Sequence, residues 1–293
     1  MIKFKGVIPA LSTPLCEDES INVTELYKLI DYLLKKGADG FYIGGATGEG
    51  FALRTEERMI LAEESIKAIN KKVPAIVQIA AADYKDTLLL AKHAEECGAD
   101  AISATAPVFF KYDRDDVYNY YKGIAESVHI PVMMYYSPLA GFNFDAEYAA
   151  RLFEIDNITA IKWTSSNYYE VIKLLDKTNG DINVINGPDE MLLMGLSAGC
   201  DGGIGLTYNF MLETIRGVYD SFVNNNMPRA LEYQSKADRI IGVMHKYLGI
   251  PVCKLMLSHM GFDVGEAAFP MKRYSAEQKA KIIDEMRHAG LDI

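Results

Sequence analysis

Hydrophobic positions along this chain follow two alternating rhythms. Short apolar runs bounded by turn residues read as strands, and longer stretches with apolar residues three and four apart read as helices. Strands are predicted near residues 4–9, 39–44, 73–79, 100–105, 130–136, 157–163, 182–186 and 201–206. Helices are predicted between them, near residues 23–36, 55–70, 84–97, 114–127, 145–154, 168–177, 189–198 and 209–223. The first helix shows how such a unit is encoded. Asn22 caps it, Glu25 stands in capping-box position, and Leu26, Leu29, Ile30, Leu33 and Leu34 form one apolar stripe.

A recurring joint supports a repeated unit. Gly37-Ala38-Asp39, Gly98-Ala99-Asp100 and Gly199-Cys200-Asp201 each follow a helix and precede a strand. Glycine suits the left-handed residue that closes a helix. Strict strand–helix alternation implies a parallel sheet covered by helices, and eight units favour a closed (β/α)8 barrel over an open doubly wound sheet. Residues 228–290 read as additional helices. The expectation is a single domain over 1–293, with the barrel in 1–225 and a C-terminal helical extension in 226–293 packed on it.

Composition narrows the field of functions. A length of 293 residues fits one α/β barrel, and 49% apolar with 24% charged residues is ordinary for a globular chain with a full core. The net charge of −10 argues against a nucleic-acid or acidic-membrane surface. Cys16, Cys97, Cys200 and Cys253 are widely spaced, which suggests reduced core thiols rather than a disulfide framework. The segment Met1 to Gly6 lacks the apolar stretch of a signal peptide, and no run approaches the roughly 18 apolar residues of a membrane span. A cytoplasmic protein is expected.

Reactive groups of a barrel sit at the C-terminal ends of its strands. Lys162 lies there, in the otherwise uncharged run Ile158 to Thr164. Period-two alternation puts Ala160, Lys162 and Thr164 on one face, and Ile161 and Trp163 on the other. If the bulky pair packs on the helices, Lys162 points inward, where burial disfavours its ammonium form and favours a nucleophilic amine. The alternative is a strand-end lysine whose head reaches water. Tyr135 and Tyr136 end the fifth strand; being adjacent, at most one can face the centre and shuttle a proton there, the alternative being two aromatics that pack at the strand end.

Three other segments are weaker signals. Gly44-Gly45-Ala46-Thr47-Gly48-Glu49-Gly50 follows the second strand and can form an amide nest for a carboxylate, or be an ordinary Gly-rich turn. It lacks the lysine of a nucleotide-binding P-loop. Gly187-Pro188-Asp189-Glu190 reads as a helix start with Pro at the first helical position, or as hydrogen-bond acceptors for a hydroxylated ligand. The five histidines are scattered; His93 shares a helix face with Leu89 and Cys97 and reads as a packing or surface residue rather than a ligand. With no His/Asp/Glu constellation, a metal-dependent aldolase is the weaker reading.

Together, Gly44 to Glu49, Lys162-Trp163-Thr164-Ser165 and Pro131 to Tyr136 with Ser137-Pro138 resemble the N-acetylneuraminate lyase and dihydrodipicolinate synthase family over nearly the whole chain. The resemblance implies a TIM barrel, usually a homotetramer, that forms a lysine imine with pyruvate and needs no metal or other cofactor. Asn186 to Glu190 and Ala198 to Asn209 look most like the sialic acid lyase branch. On that pattern Lys162 is the nucleophile and Tyr135 the acid/base. Ala46 and Thr47 would hold the carboxylate of a 2-keto acid, while Thr164, Gly187, Asp189, Glu190, Gly205 and Leu206 would line the sugar tail.

The synthase branch usually carries an arginine that Ser137 to Gly141 does not offer. The chain also departs from the pattern at Ala46 (usually Ser or Thr), at Phe109-Phe110 (usually tyrosine-bearing) and at Leu206 (serine in the lyases). The loop after Pro138 is one residue short. The resemblance therefore implies an aldolase for N-acetylneuraminate or a related 2-keto-3-deoxy sugar acid, releasing pyruvate and N-acetylmannosamine. The alternatives are an aldolase, dehydratase or synthase for another 2-keto acid, and a keto-acid-binding regulator without turnover.

Overall fold

The computed structural model describes residues 3–293; Met1 and Ile2, part of the N-terminal segment read above, lie outside them. Eight parallel strands form one sheet: β1 Gly6–Pro9, β2 Phe41–Ile43, β3 Ala75–Gln78, β4 Ala101–Thr105, β5 Val132–Tyr136, β6 Ile158–Trp163, β7 Asn183–Asn186 and β8 Gly202–Gly205. Helices alternate with them: α1 Val23–Lys35, α2 Thr55–Ile69, α3 Tyr84–Glu96, α4 Arg114–Ser127, α5 Ala146–Leu152, α6 Tyr168–Lys177, α7 Leu192–Ser197 and α8 Tyr208–Val223. Each lies within its predicted window to one residue.

The strands run in the order β1-β8-β7-β6-β5-β4-β3-β2. A parallel bridge between Ala10 and Tyr42, with the Leu11 N–H donating to the Tyr42 carbonyl at 2.9 Å, joins the two ends. The sheet is thus a closed (β/α)8 barrel. Three further helices follow, α9 Met227–Met244, α10 Gly249–His259 and α11 Ala276–His288, of which α9 and α10 pack on α8. Among the described residues no single helix is long and apolar enough to cross a membrane.

The repeated joint has a mechanical role. Gly37, Gly98 and Gly199 adopt φ of 90°, 87° and 101°, which turns the chain out of each helix. The aspartate that follows then holds the start of a neighbouring strand. Asp39 accepts from the Val7 N–H at 2.8 Å, Asp100 from the Ala75 N–H at 2.9 Å, and Asp201 from the Asn183 side-chain amide at 2.7 Å.

Burial falls into two shells, as strand alternation requires. Phe4, Ile8, Tyr42, Ile76, Met133, Ala160 and Ile185 are among the residues that fill the barrel interior, with Tyr135 packed against them. A larger core, including Ile161, Trp163 and Tyr136, lies between strands and helices.

Three local expectations need correction. Asn22 does cap α1, accepting from the Glu25 N–H at 3.2 Å, but the Glu25 carboxylate turns instead to Lys28 and the Asp263 N–H. Pro188 is extended (φ −74°, ψ 121°) and precedes the helical turn rather than occupying its first position. The segment from Asp189 to Met191 is a 3-10 turn, separated from α7 by non-helical angles at Met191, because the Asp189 side chain is drawn to Thr207. Cys16 is exposed and Cys97 only partly buried, so Cys200 and Cys253 alone are fully buried thiols.

Candidate active site

Lys162 occupies the penultimate position of β6, paired in register with Tyr135 on β5 and Ile185 on β7. Ile161 and Trp163 take the outer positions, which turns Lys162 into the barrel with only 6% of its surface exposed. Its Nζ lies 4.3 Å from the centroid of the Tyr135 ring and 4.9 Å from that of Tyr42. Both rings meet the nitrogen with their π-faces, which attract a cation without neutralising it. The two rings themselves meet edge to face, with centroids 6.1 Å apart.

The pair of adjacent tyrosines is thereby resolved. Tyr135 faces the interior beside Lys162, whereas Tyr136 stacks on Phe144 at 5.2 Å and packs on Trp163 at 4.5 Å. Tyr42 was not singled out by sequence. Its place between Gly40 and Gly44 on the inward face of β2 was the available signal, since small neighbours leave room for a ring. The Tyr42 hydroxyl donates to Ser103 Oγ at 3.0 Å, and burial pushes it well above the usual tyrosine range.

The Gly-rich loop curls over this end of the barrel. Its internal bonds run from the Glu49 N–H to the Ala46 carbonyl at 3.0 Å and from the Gly50 N–H to the Gly45 carbonyl at 3.1 Å, while Thr13 Oγ1 donates to the Gly48 carbonyl at 2.6 Å. Among the described residues the N–H groups of Ala46 and Thr47 find no internal acceptor. Buried backbone donors are normally paired, so the free amide of buried Thr47, with that of exposed Ala46 beside it, suits an anionic oxygen. Ala46 is exposed into a cavity of about 280 Å³ that Tyr135, Gln78, Thr105, Ser137 and Leu139 also line. Arg58, itself buried, fixes Gln78 from behind by donating to its side-chain oxygen at 2.7 Å.

A second cavity, of about 550 Å³, adjoins the first at Leu139. Thr164, Gly187, Asp189, Glu190 and Leu206 line it, together with His245 and Tyr247 from the connection between α9 and α10. Its charged lining consists of Asp189 and Glu190, with no Lys or Arg. Gly187 is there because a Cβ would fall 2.0 Å from Thr164 Oγ1 and 2.8 Å from the Thr164 Cα, so only glycine allows the two strand ends to meet. Thr164 Oγ1 is buried with no partner. His245 and Tyr247 were invisible to sequence reading, since they reach the site from a segment that no strand periodicity marks.

Asp189 is more committed than its sequence context suggests. Its Oδ2 accepts from both the N–H and the hydroxyl of Thr207, at 2.7 and 2.6 Å. Burial raises the carboxyl to about 6, with the two Thr207 bonds pulling the other way and the neighbouring Glu190 adding to the rise. Gly205 does not line either cavity; it is buried, and a Cβ there would strike Asp189 and Tyr208 at 2.3 Å.

An interior lysine, an inward tyrosine, a free amide nest and a hydroxyl-lined cavity thus share the C-terminal rim of one barrel. The Dihydrodipicolinate synthetase family model matches residues 3–289. The chain belongs to that family. It is 33% identical over 280 residues to an N-acetylneuraminate lyase of Clostridium perfringens (strain 13), covering 94% of this chain and 96% of the relative.

Among solved structures, an N-acetylneuraminate lyase (sialic acid aldolase) from Aliivibrio salmonicida superposes with a TM-score of 0.95 at 29% identity, covering 100% of this chain and 99% of that one. A dihydrodipicolinate synthase from Acinetobacter baumannii complexed with pyruvate gives a TM-score of 0.92 at 26% identity, covering 99% and 100%. Family and relatives are pyruvate-dependent lyases, and this chain is an enzyme of that kind.

Proposed function

We propose that the chain is a class I aldolase that cleaves N-acetylneuraminate or a related 2-keto-3-deoxy sugar acid through an imine on Lys162. The reading is carried by the inward Lys162, seated on the ring of Tyr135, which with Ala46 lines the smaller cavity at the barrel mouth. The Lys162 amine attacks the keto carbon, and loss of water gives the imine, which draws electrons from the bond to be broken. Tyr135 takes the proton from the hydroxyl whose carbon leaves as the aldehyde. The remaining pyruvate enamine is protonated, and water releases pyruvate and restores Lys162. No step calls for a cofactor or metal.

The larger cavity supports a polyhydroxylated tail. Asp189, Glu190, Thr164 and Ser165 offer hydrogen bonds, whereas a second carboxylate would meet two acids and no guanidinium. That lining argues against the synthase reaction. The partner is a small 2-keto acid, and the assembly expected is a homotetramer, to be checked by sedimentation. Borohydride reduction in the presence of pyruvate tests the mechanism: a stable adduct on Lys162 is expected, and its absence overturns the proposal.

A second substrate reading has its own observation. Leu206, Ile241 and Met244 give the tail cavity an apolar wall, and Ala46 itself brings no hydroxyl to the nest. These favour a different, shorter 2-keto-3-deoxy acid with fewer tail hydroxyls. Turnover across a panel of such acids separates the two, since a clear preference for a shorter unacetylated acid excludes the sialic acid assignment.

A further inference from the structure

On the outside of the barrel, α2 and α3 lie side by side. Glu63 on α2 faces His93 and Cys97, which are one helical turn apart at the end of α3. A carboxylate oxygen, a ring nitrogen and a sulfur from these residues all lie within 4.8 Å of one another, and each side chain is partly buried. His93 Nε2 is 3.5 Å from Cys97 Sγ. Zinc bonds of about 2.3 Å to sulfur and about 2.05 Å to nitrogen, at a tetrahedral angle, place those two atoms about 3.6 Å apart. His93 Nδ1 lies 3.8 Å from the same sulfur, so the spacing fits one ion once the imidazole turns to aim Nε2 at it.

We propose that Glu63, His93 and Cys97 form a Zn2+ site that clamps α2 to α3, with water in the fourth position. The donor set selects the metal. A thiolate and an imidazole suit zinc, whereas Mg2+ and Ca2+ require oxygen ligands throughout. On binding, the Cys97 S–H bond breaks, its proton passes to solvent and a Zn–S bond forms, with no change of oxidation state. Glu63 also pairs with Lys67 at 2.7 Å, but Lys67 holds Glu64 at 2.8 Å as well, so it keeps a partner when Glu63 turns to the ion. The site lies apart from the barrel mouth, and the aldolase chemistry does not depend on it.

Co2+ titration of the purified full chain is the test, because a cobalt–thiolate bond absorbs in the near ultraviolet. One equivalent should give that band, Zn2+ should displace it, and Mg2+ should not. Cys97→Ser should abolish the band and Cys16→Ser should leave it intact. His93→Ala and Glu63→Gln should each weaken affinity by at least about tenfold, the cost of losing even a partner of a ligand. No band at one equivalent, or a band that survives Cys97→Ser, overturns the proposal. Should Cys97→Ser not fold, alkylation of the unmutated chain takes its place. Zn2+ must slow modification of Cys97 but not of Cys16, and equal rates at Cys97 with and without Zn2+ overturn the proposal.

Discussion

Lys254 Nζ lies 2.7 Å from Glu49 Oε1, with the two side chains 2% and 0% exposed. Lys254 also donates to the Glu266 carbonyl at 2.9 Å, and Glu49 Oε2 accepts from the Ala268 N–H at 2.6 Å. Glu49 belongs to the Gly-rich loop and Lys254 to α10, so the C-terminal extension is tied directly to the loop that presents Ala46 and Thr47. Burial pulls the Lys254 ammonium below its usual range, and Glu49 opposes that pull. The motif glutamate therefore anchors the loop and does not line the cavity that Ala46 opens into.

Breaking this pair leaves one buried charge uncompensated. Glu49→Gln or Lys254→Met should each cost about 3–5 kcal/mol in urea unfolding. The double variant should cost less than the sum of the two, because neither charge is then stranded. Additive losses would show that the two side chains act independently.

Lys162 has no carboxylate within ion-pair distance among the described residues, so its removal strands no partner. Lys162→Ala should keep the far-ultraviolet spectrum and thermal midpoint close to those of the parent. It should give no borohydride adduct and no turnover.

Tyr135→Phe separates imine formation from proton transfer. The ring that covers Lys162 is kept and only the hydroxyl is lost, so the pyruvate adduct should still form on Lys162. Turnover should fall by about 10²–10⁴, the range for loss of a general acid or base. Unchanged turnover would place the proton relay elsewhere.

Asp189 makes stability depend on pH with a definite sign. Its carboxyl rises from 3.8 to about 6 on folding, so the folded chain binds the extra proton between those values. This contribution is fully present below about pH 3.8 and is lost as pH rises through about 6, on the order of 3 kcal/mol. Unfolding of Asp189→Asn followed across that window should lack this fall. Parallel profiles for parent and variant would refute it.

Gly187→Ala tests the close approach of the strand ends. The added methyl meets Thr164 side chain and backbone alike, so β6 and β7 must part at the cavity wall. A loss of about 1–3 kcal/mol is expected, as for other overpacked sites. In the synthesis direction the KM for the aldehyde should rise more than that for pyruvate.

Much of this molecule is written locally. Helix stripes, Gly-x-Asp joints and strand alternation each act over a few residues, and together they give eight strands, their helices and the inward face of Lys162. Those features follow from backbone periodicity, which a sequence displays directly. Which of Tyr135 and Tyr136 enters the barrel depended on the pairing of Tyr135 with Lys162 across two strands. Likewise, the meeting of Glu49 with Lys254, of Asp189 with Thr207, and of His245 with Thr164 in one cavity joins residues far apart in the chain. Only closure of the barrel and docking of the extension bring these together, because their contacts are set by packing in three dimensions and leave no period along the chain.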